Sequence, residues 1–302
     1  MKITFLGTGG GRFSTISQRR MTGGFRIDKL NGKNYHIDPG PGALVRTYQF
    51  GLDPRTLSGV FISHAHTDHY TDGEILIEAI TKGMTRNQGV IMGSRSVFEG
   101  YKKFGPCISD YHRSKSENIL LKPNDVKTVN DFTIKGTKTI HGDPTGVGFQ
   151  IDNGDIKISY TSDTSYFEGL SDYHEGADIL IASVLRSGDR TIRGHMCSTN
   201  FIQLINEVKP KLAIMTHFGL KMLNSNPIVE ARKITSKTNT KTLAAYDGLS
   251  LDINFEKPQF SRRRSLKSPR SRIYKKERET VRKKSIKNKE FDELKILKHN
   301  KK

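Results

Sequence analysis

A seven-residue segment, Ser63-His64-Ala65-His66-Thr67-Asp68-His69, constrains the fold and chemistry of this chain more than any other feature. It follows the apolar run Gly59–Ile62, which is typical of a buried strand. In an extended loop, residues two apart point the same way, so His64 and His66 can bind one ion while Asp68 and His69 face a second. Imidazole and carboxylate are the usual ligands of catalytic zinc, and they also suit manganese or iron. The segment therefore predicts a metal centre at the end of a strand.

Three later polar residues, His141, Asp163 and His217, each follow an apolar run that is typical of a strand. Loops at strand ends present functional groups on a rigid frame, so these residues are candidates to complete the centre. A capping or surface role is the alternative for each of them. Three other histidines could also be metal ligands, but we expect them to be exposed or to have hydrogen-bond partners elsewhere: His36, His112 and His174.

The first 256 residues mix apolar strand-like and helix-like runs along their whole length. A glycine-rich turn at residues 7–11 lacks the Gly-Lys-Ser/Thr of a phosphate-binding loop and is expected to make a tight turn. The Asn31-Gly32 pair predicts a hairpin, and Asp72 is expected to cap a helix over residues 72–82. This mixture of hairpins and alternating elements predicts an α/β fold with layered sheets covered by helices.

Most of the net positive charge lies at the end of the chain. The protein has 302 residues and a formal net charge of +19, and residues 257–302 hold 19 Lys or Arg against five acids. With few apolar residues to bury, this segment is predicted to be a disordered basic tail that follows one domain over residues 1–256. Such a tail attracts nucleic acid through release of counterions, although a solubilising or localising role is the alternative.

Neither cysteine usage nor hydropathy suggests secretion or membrane insertion. Cys107 and Cys197 are too few for a disulfide framework. No apolar run approaches the roughly 18 residues of a transmembrane segment. We therefore expect a soluble cytoplasmic protein without a transmembrane segment, and the sequence is compatible with a homodimer.

The pattern His-x-His-x-Asp-His after a strand resembles the metallo-β-lactamase superfamily. The resemblance implies a four-layer αββα sandwich holding two divalent metal ions, with Asp38 orienting ligands from behind. The implied ligands are His64, His66 and His141 for the first ion, Asp68, His69 and His217 for the second, and Asp163 as a bridge between them. The matching motifs span residues 1 to about 255, which is essentially the whole predicted domain.

The residues that precede His217 resemble the ribonuclease Z branch of that superfamily. His195 lies 22 residues before His217 at the start of a predicted helix. The resemblance implies that it acts in catalysis beside Asp68, as a general acid or a phosphate donor; a hydrogen bond at the helix start is the alternative. The neighbouring basic residues, which suit phosphate but equally suit a solvated loop, are Arg186, Arg190 and Arg193.

One departure limits the resemblance. Members of that branch that process transfer RNA carry a long arm between the positions of His141 and Asp163, where this chain has only a 22-residue step. The sequence is therefore similar to a ribonuclease Z without the tRNA-binding arm.

Two cations about 3.5–4 Å apart lower the pKa of a bridging water and stabilise both the attacking and the leaving oxygen. The sequence thus predicts a dinuclear hydrolase, with zinc as the expected metal, that cleaves phosphodiesters in nucleic acid or nucleotides with a metal-bridging hydroxide. The alternatives are a lactone or thioester hydrolase of the same fold and a nucleic-acid-binding protein whose metals are structural.

Overall fold

The computed structural model describes residues 1–253 and the backbone of residues 261–263. The strands in chain order are β1 (Lys2–Phe5), β2 (Phe25–Leu30), β3 (Lys33–Ile37), β4 (Gly59–Ile62), β5 (Val90–Gly93), β6 (Glu117–Leu120), β7 (Val126–Val129), β8 (Phe132–Lys138), β9 (Val147–Asp152), β10 (Lys157–Tyr160), β11 (Ile179–Arg186), β12 (Met196–Cys197), β13 (Leu212–Thr216), β14 (Thr242–Ala244), β15 (Ser250–Asp252) and β16 (Ser261–Arg263). The helices are α1 (Arg12–Ser17), α2 (Ala43–Gln49), α3 (Thr67–Tyr70), α4 (Gly73–Ile80), α5 (Arg95–Phe98), α6 (Asp110–Arg113), α7 (Ser198–Val208), α8 (Leu220–Asn224) and α9 (Pro227–Thr238). Short 3₁₀ turns occur at Pro54–Thr56 and Ser171–His174.

The strands form two mixed sheets. The first has the order β16-β15-β1-β2-β3-β4-β5-β6, and the second has the order β14-β13-β11-β10-β9-β8-β7 with β12 paired to β11. Strands β3 to β6 run parallel, as do β10, β11, β13 and β14. Because parallel strands end at the same edge of a sheet, the loops after β10 and β13 lie at one edge of the second sheet, while the loop after β4 lies at an edge of the first. The predicted Asn31-Gly32 turn joins β2 to β3.

The two sheets pack face to face through a continuous apolar core that contains residues from both. Aromatic edge-to-face pairs cross this layer, such as Phe61 of β4 against Phe149 of β9, with ring centroids 4.7 Å apart. Side chains alternate across a strand, so Phe61 faces the other sheet while Val60 and Ile62 face outward. The inter-sheet core therefore depends on the alternating apolar pattern of both sheets.

Helices cover the outer face of each sheet. Val60 and Ile62 pack against Leu76 and Ile77 of α4 in one outer core. A second outer core joins α7 and α9 to the opposite sheet. The order of layers is helix, sheet, sheet, helix, which confirms the predicted four-layer αββα sandwich.

Two details differ from the simple sequence expectation. Asp72 precedes α4, but its carboxylate makes no cap there and instead accepts hydrogen bonds from the backbone N–H groups of Gly42 and Leu44, at 3.3 and 2.9 Å. It thus stabilises the start of α2, whose first amides have no partner within the helix. In addition, three residues of the predicted tail form β16, antiparallel to β15. Residues 254–260 and 264–302 lie outside the described residues, and the prediction of a disordered tail concerns mainly them.

Among the described residues, no helix combines the length and apolar character needed to cross a membrane.

Replacing Phe149 with alanine tests the inter-sheet core. The ring is fully buried against Phe61, so Phe149→Ala should lower the free energy of unfolding by about 3–5 kcal/mol through lost burial and the cavity left behind. Phe13→Ala is the matched control because Phe13 is 75% exposed, and its effect should stay within about 0.5 kcal/mol. Urea unfolding measures both; equal effects would contradict the assigned core.

Candidate metal centre

The motif segment leaves β4 in an extended conformation and then turns into a short helix. Residue His66 is still extended, with φ −98° and ψ 141°, and α3 begins directly after it. The prediction of an extended loop throughout is therefore wrong from Thr67 onward, because Asp68 and His69 lie in the helical turn α3. The ligand candidates form two groups of three, and His64, His69 and Asp163 lie close enough to form a further group.

The first group consists of His64, His66 and His141. The Nδ1 atom of His66 lies 3.0 Å from Nε2 of His64 and 2.9 Å from Nε2 of His141. All three ligand atoms lie within 4.8 Å of one another. The structure therefore brings together the three residues that the sequence assigned to the first ion.

The second group consists of Asp68, His69 and His217. The Oδ2 atom of Asp68 lies 3.7 Å from Nε2 of His69 and 3.4 Å from Nε2 of His217. The two imidazole nitrogens are 3.2 Å apart. This group matches the residues that the sequence assigned to the second ion.

Asp163 lies between the two groups. Its Oδ2 atom is 3.1 Å from Nε2 of His217, 3.5 Å from Nε2 of His69 and 3.9 Å from Nε2 of His141. Its Oδ1 atom is buried and has no hydrogen-bond partner among the described residues. Burial alone would raise the pKa of Asp163, but the imidazoles of His217 and His69 hold that pKa well below its usual value. The carboxylate is thus an ionised acceptor that faces both groups.

Hydrogen bonds behind the histidines determine which ring nitrogens face the centre. His69 donates from Nδ1 to Asp38 at 2.8 Å, and His141 donates from Nδ1 to the carbonyl oxygen of Gly194 at 2.7 Å. Ser63 donates its hydroxyl to Asp38 at 2.8 Å, so the same hydroxyl can accept from Nδ1 of His64 at 2.9 Å. A proton held on Nδ1 leaves Nε2 free to bind a cation.

Asp38 connects several parts of the centre. Besides His69 and Ser63, its carboxylate accepts a hydrogen bond from the hydroxyl of Tyr160 at 2.9 Å. The resemblance predicts Asp38 behind the ligands, but the sequence carries no signal for Tyr160, which simply ends an apolar strand run. Asp143 was also missed. It is fully buried, and its Oδ2 accepts from the backbone N–H of Ala65 at 3.0 Å. Its only sequence signal is its position two residues after His141.

The glycine-rich turn after β1 approaches the centre closely. A Cβ atom on Gly10 would collide with the ring of His217. The backbone N–H of Gly11 donates to Oδ2 of Asp68 at 3.0 Å. These glycines therefore allow the turn to pack against the second group.

His195 lies at the same centre. Its Nδ1 atom is 3.6 Å from Oδ2 of Asp163, and its ring lies 4.8 Å from that of His141 between centroids. Burial lowers the pKa of His195 to about 4, with Asp163 opposing this shift and His217 adding to it. The ring is thus neutral near pH 7 and can donate one N–H.

The three arginine candidates lie nearby in sequence but differ in exposure. Arg186 ends β11 and is half-buried, whereas Arg190 and Arg193 are exposed on the loop that leads to Gly194 and His195. Within the described part of the chain, no ion pair joins their guanidinium groups to the cluster. Their role as substrate ligands stays a prediction.

The other histidines lie outside the cluster. His36 bonds to the carbonyl oxygen of Gly23 at 2.7 Å, and His174 pairs with the hydroxyl of Ser159 at 2.6 Å. His112 lies beside Glu74 and Glu78. None of the three belongs to a metal-competent group among the described residues.

The donor set fits a pair of divalent cations. It offers imidazole nitrogens oriented from behind, two ionised carboxylates and one buried carboxylate oxygen with no partner. Burial lowers the pKa of His64 well below its usual value, with the neighbouring His69 adding to the effect, so His64 is neutral and able to bind a cation.

The sandwich and this edge cluster define a class of protein, the αββα metal-dependent hydrolases. Residues 33–218 match the family model described as the β-lactamase superfamily domain, so the chain belongs to the metallo-β-lactamase superfamily. The resemblance stated from the motifs is thereby confirmed.

Relatives agree with this assignment. An uncharacterized protein of Methanocaldococcus jannaschii is 46% identical over 256 residues, covering 84% of this chain and 95% of the relative. Ribonuclease Z of Mycolicibacterium gilvum is 25% identical over 202 residues, covering 62% and 69%. The crystal structure of the metallo-β-lactamase fold protein YhfI from Bacillus subtilis superposes with a TM-score of 0.68 at 25% identity, covering 82% and 98%.

Removal of the central carboxylate tests the cluster. If Asp163 contacts both cations, Asp163→Ala should reduce bound metal from about two ions per chain to about one or fewer. Asp155→Ala, at an exposed turn, is the control and should retain full metal content. Elemental analysis of protein after dialysis, together with a thermal melt to verify folding, measures the effect; unchanged stoichiometry in a folded variant would refute the bridge.

Proposed function

We propose that this protein is a dinuclear metal-dependent phosphodiesterase that acts on nucleic acid or nucleotides, with zinc as its metal. The supporting observation is the position of Asp163 between two groups of three ligand residues, with His195 beside it. The family relationship and the ribonuclease Z relatives support hydrolysis and favour a phosphodiester substrate. Manganese and iron suit the same ligands.

In this proposal each group of ligand residues has one task. His64, His66 and His141 hold one cation, while Asp68, His69 and His217 hold the other. Bound there, the cations would polarise the substrate phosphate and acidify a water molecule. Asp163 contacts residues of both groups and so holds them next to each other, and Asp38 fixes the orientation of the His69 ring.

His195 is proposed to hold a substrate oxygen. Its neutral ring has one N–H to donate, and its side chain is 14% exposed, so part of the ring is accessible. A neutral imidazole is a better hydrogen-bond donor than proton donor near pH 7. Of the two roles considered from sequence, this favours phosphate binding over general acid catalysis. The exposed Arg190 and Arg193 would add charge that suits the same phosphate.

A substrate panel tests the proposed reaction directly. The zinc-loaded protein should hydrolyse bis(p-nitrophenyl) phosphate and a dinucleotide faster than a lactone or a thioester. Preference for the lactone or thioester would overturn the phosphodiester assignment and favour the carboxyl-ester alternative. Metal-loaded protein with no turnover on the whole panel would leave only a binding protein with structural metals.

The proposed role of His195 predicts how much its loss lowers kcat/KM for substrates with different leaving groups. Loss of a hydrogen bond to a charged oxygen should lower kcat/KM of His195→Ala by about 10- to 100-fold for both bis(p-nitrophenyl) phosphate and the dinucleotide. His112→Ala, outside the cluster, is the control. A far larger loss with the dinucleotide, whose alkoxide leaving group needs a proton, would instead identify His195 as a general acid.

The basic tail is proposed to bind nucleic acid. Strand β16 runs antiparallel to β15, which itself runs antiparallel to β1, so β16 runs in the same direction as β1. Arg263, the last described residue, therefore lies at the same end of the sheet as the turn after β1, which contacts His217 and Asp68. This position of Arg263 supports the proposal that the basic segment acts together with the metal centre.

Shortening the chain tests the tail. Protein ending at Arg263 keeps β16 but loses 16 Lys or Arg and five acids. Its affinity for an RNA oligonucleotide should fall at least about tenfold, and the salt dependence of binding should become shallower. Fluorescence anisotropy at several KCl concentrations measures both quantities. Unchanged affinity and slope would identify a solubilising tail.

A further inference from the structure

A short basic hairpin, residues 101–104, lies beside residues 63–69, which we call the ligand loop. Two backbone hydrogen bonds close it, from Tyr101 N to Phe104 O at 2.7 Å and from Phe104 N to Tyr101 O at 3.0 Å. We call this segment the 101–104 hairpin. None of the motifs in the sequence drew attention to it, because its contact with the centre arises only in the folded chain.

Phe104 connects the hairpin to a predicted metal ligand. Its ring centroid is 5.7 Å from that of His66. The ammonium group of Lys103 lies 5.7 Å from the same Phe104 ring. The Lys103 ammonium group therefore lies no farther from the centroid of the His66 ring than the sum of these two distances.

The charges of the hairpin are free to meet an anion. Lys102 and Lys103 are both exposed, and none of the ion pairs among the described residues uses either side chain. Their nearest aromatic partners are Tyr101, 5.4 Å from the Lys102 ammonium, and Phe104. The one nearby acid on the preceding turn, Glu99, is paired with Arg95 at 3.0 Å. The exposed face thus carries two uncompensated positive charges.

The hairpin is held in a defined position relative to the ligand loop. Gly105 packs against the carbonyl oxygen of Ser96 so closely that no side chain fits. Ser96 also donates its hydroxyl to the buried carboxylate of Asp143, which in turn accepts from the N–H of Ala65 at 3.0 Å. Ala65 lies between His64 and His66. One buried carboxylate therefore connects the base of the hairpin to the ligand loop.

We propose that the 101–104 hairpin binds the phosphate backbone of single-stranded nucleic acid next to the bond held at the metal centre. This inference rests on the proposed phosphodiesterase function. Lysine ammonium groups contact phosphates, and aromatic rings beside them are typical of surfaces that bind single strands. Because the two lysines belong to neither ligand group, we expect them to contact a part of the substrate that extends past the reacting diester. The hairpin thus favours a polynucleotide over a mononucleotide.

Paired charge-removal variants of the full-length, zinc-loaded protein test this inference. The first is Lys102→Gln with Lys103→Gln. The control, Lys33→Gln with Lys237→Gln, removes the same charge from exposed residues at the opposite edge, where β3 begins and α9 ends. Binding of a fluorescent single-stranded oligonucleotide is measured across KCl concentrations, together with hydrolysis of bis(p-nitrophenyl) phosphate.

The hairpin variant should bind the oligonucleotide about tenfold more weakly at moderate salt, and its log–log salt slope should be smaller by about 1 to 1.5, for two lost phosphate contacts. The control should change far less. Affinity within twofold of the control would overturn the inference, and so would an equal loss of affinity for polyglutamate, which would mark a general polyanion surface. Absence of diester hydrolysis by the unmodified protein would refute the proposed function, whereas the binding comparison would still decide the role of the hairpin.

Discussion

The burial of one carboxylate among four imidazoles is the constraint on which the rest of the centre depends. The Oδ2 atom of Asp163 lies within 3.9 Å of ring nitrogens from four histidines that come from four different loops. An ionised carboxylate in the interior costs several kcal/mol unless positive or hydrogen-bonding groups surround it. The cluster is therefore stable only as a unit, either with cations bound or with protons on some of the imidazoles. The same charges act on His69: burial lowers its pKa, but the carboxylates of Asp163, Asp38 and Asp68 raise it well above its usual value.

A layer of hydrogen bonds behind the cluster makes its geometry specific. Asp38, Ser63 and the carbonyl oxygen of Gly194 engage the Nδ1 atoms of three histidines, so the Nε2 atoms face inward. These partners come from the residue directly after β3, the start of the ligand loop and the loop after β11, respectively. The two sheets must therefore be packed correctly before the histidines can take up these orientations. Stability of the sandwich and competence to bind metal are coupled in this protein.

The centre combines buried or half-buried carboxylates inside with exposed basic groups around it. Asp68 and Asp163 contribute negative charge that divalent cations would neutralise, while Arg190, Arg193 and the 101–104 hairpin expose positive charge. Bound cations at the centre and these exposed basic residues around it would both attract an anionic substrate. In the proposed function, these exposed basic residues and the basic tail hold the parts of a larger substrate that extend beyond the centre.

Much of this arrangement could be predicted from sequence because local patterns carry it. Alternating apolar residues determined the strands, the Asn31-Gly32 pair determined a turn, and the density of ligands in residues 63–69 indicated a metal centre. His141, Asp163 and His217 could be selected because each follows a strand-like run, and parallel strands end at a common edge. The helical turn at residues 67–70 was missed, since four residues carry too little periodic signal to distinguish a helix from an extended loop.

Other features depend on contacts between distant segments. Asp72 acts on α2 because the two helices begin side by side, and Asp143 supports the ligand loop because Ala65 and Ser96 both donate hydrogen bonds to its buried carboxylate. The sequence by itself determined which side chains could bind metal and which strands would carry them. Only the tertiary structure decided which nitrogen faces inward and which basic residues border the centre, because hydrogen bonds and charge act over a few ångströms in space, whatever the separation along the chain.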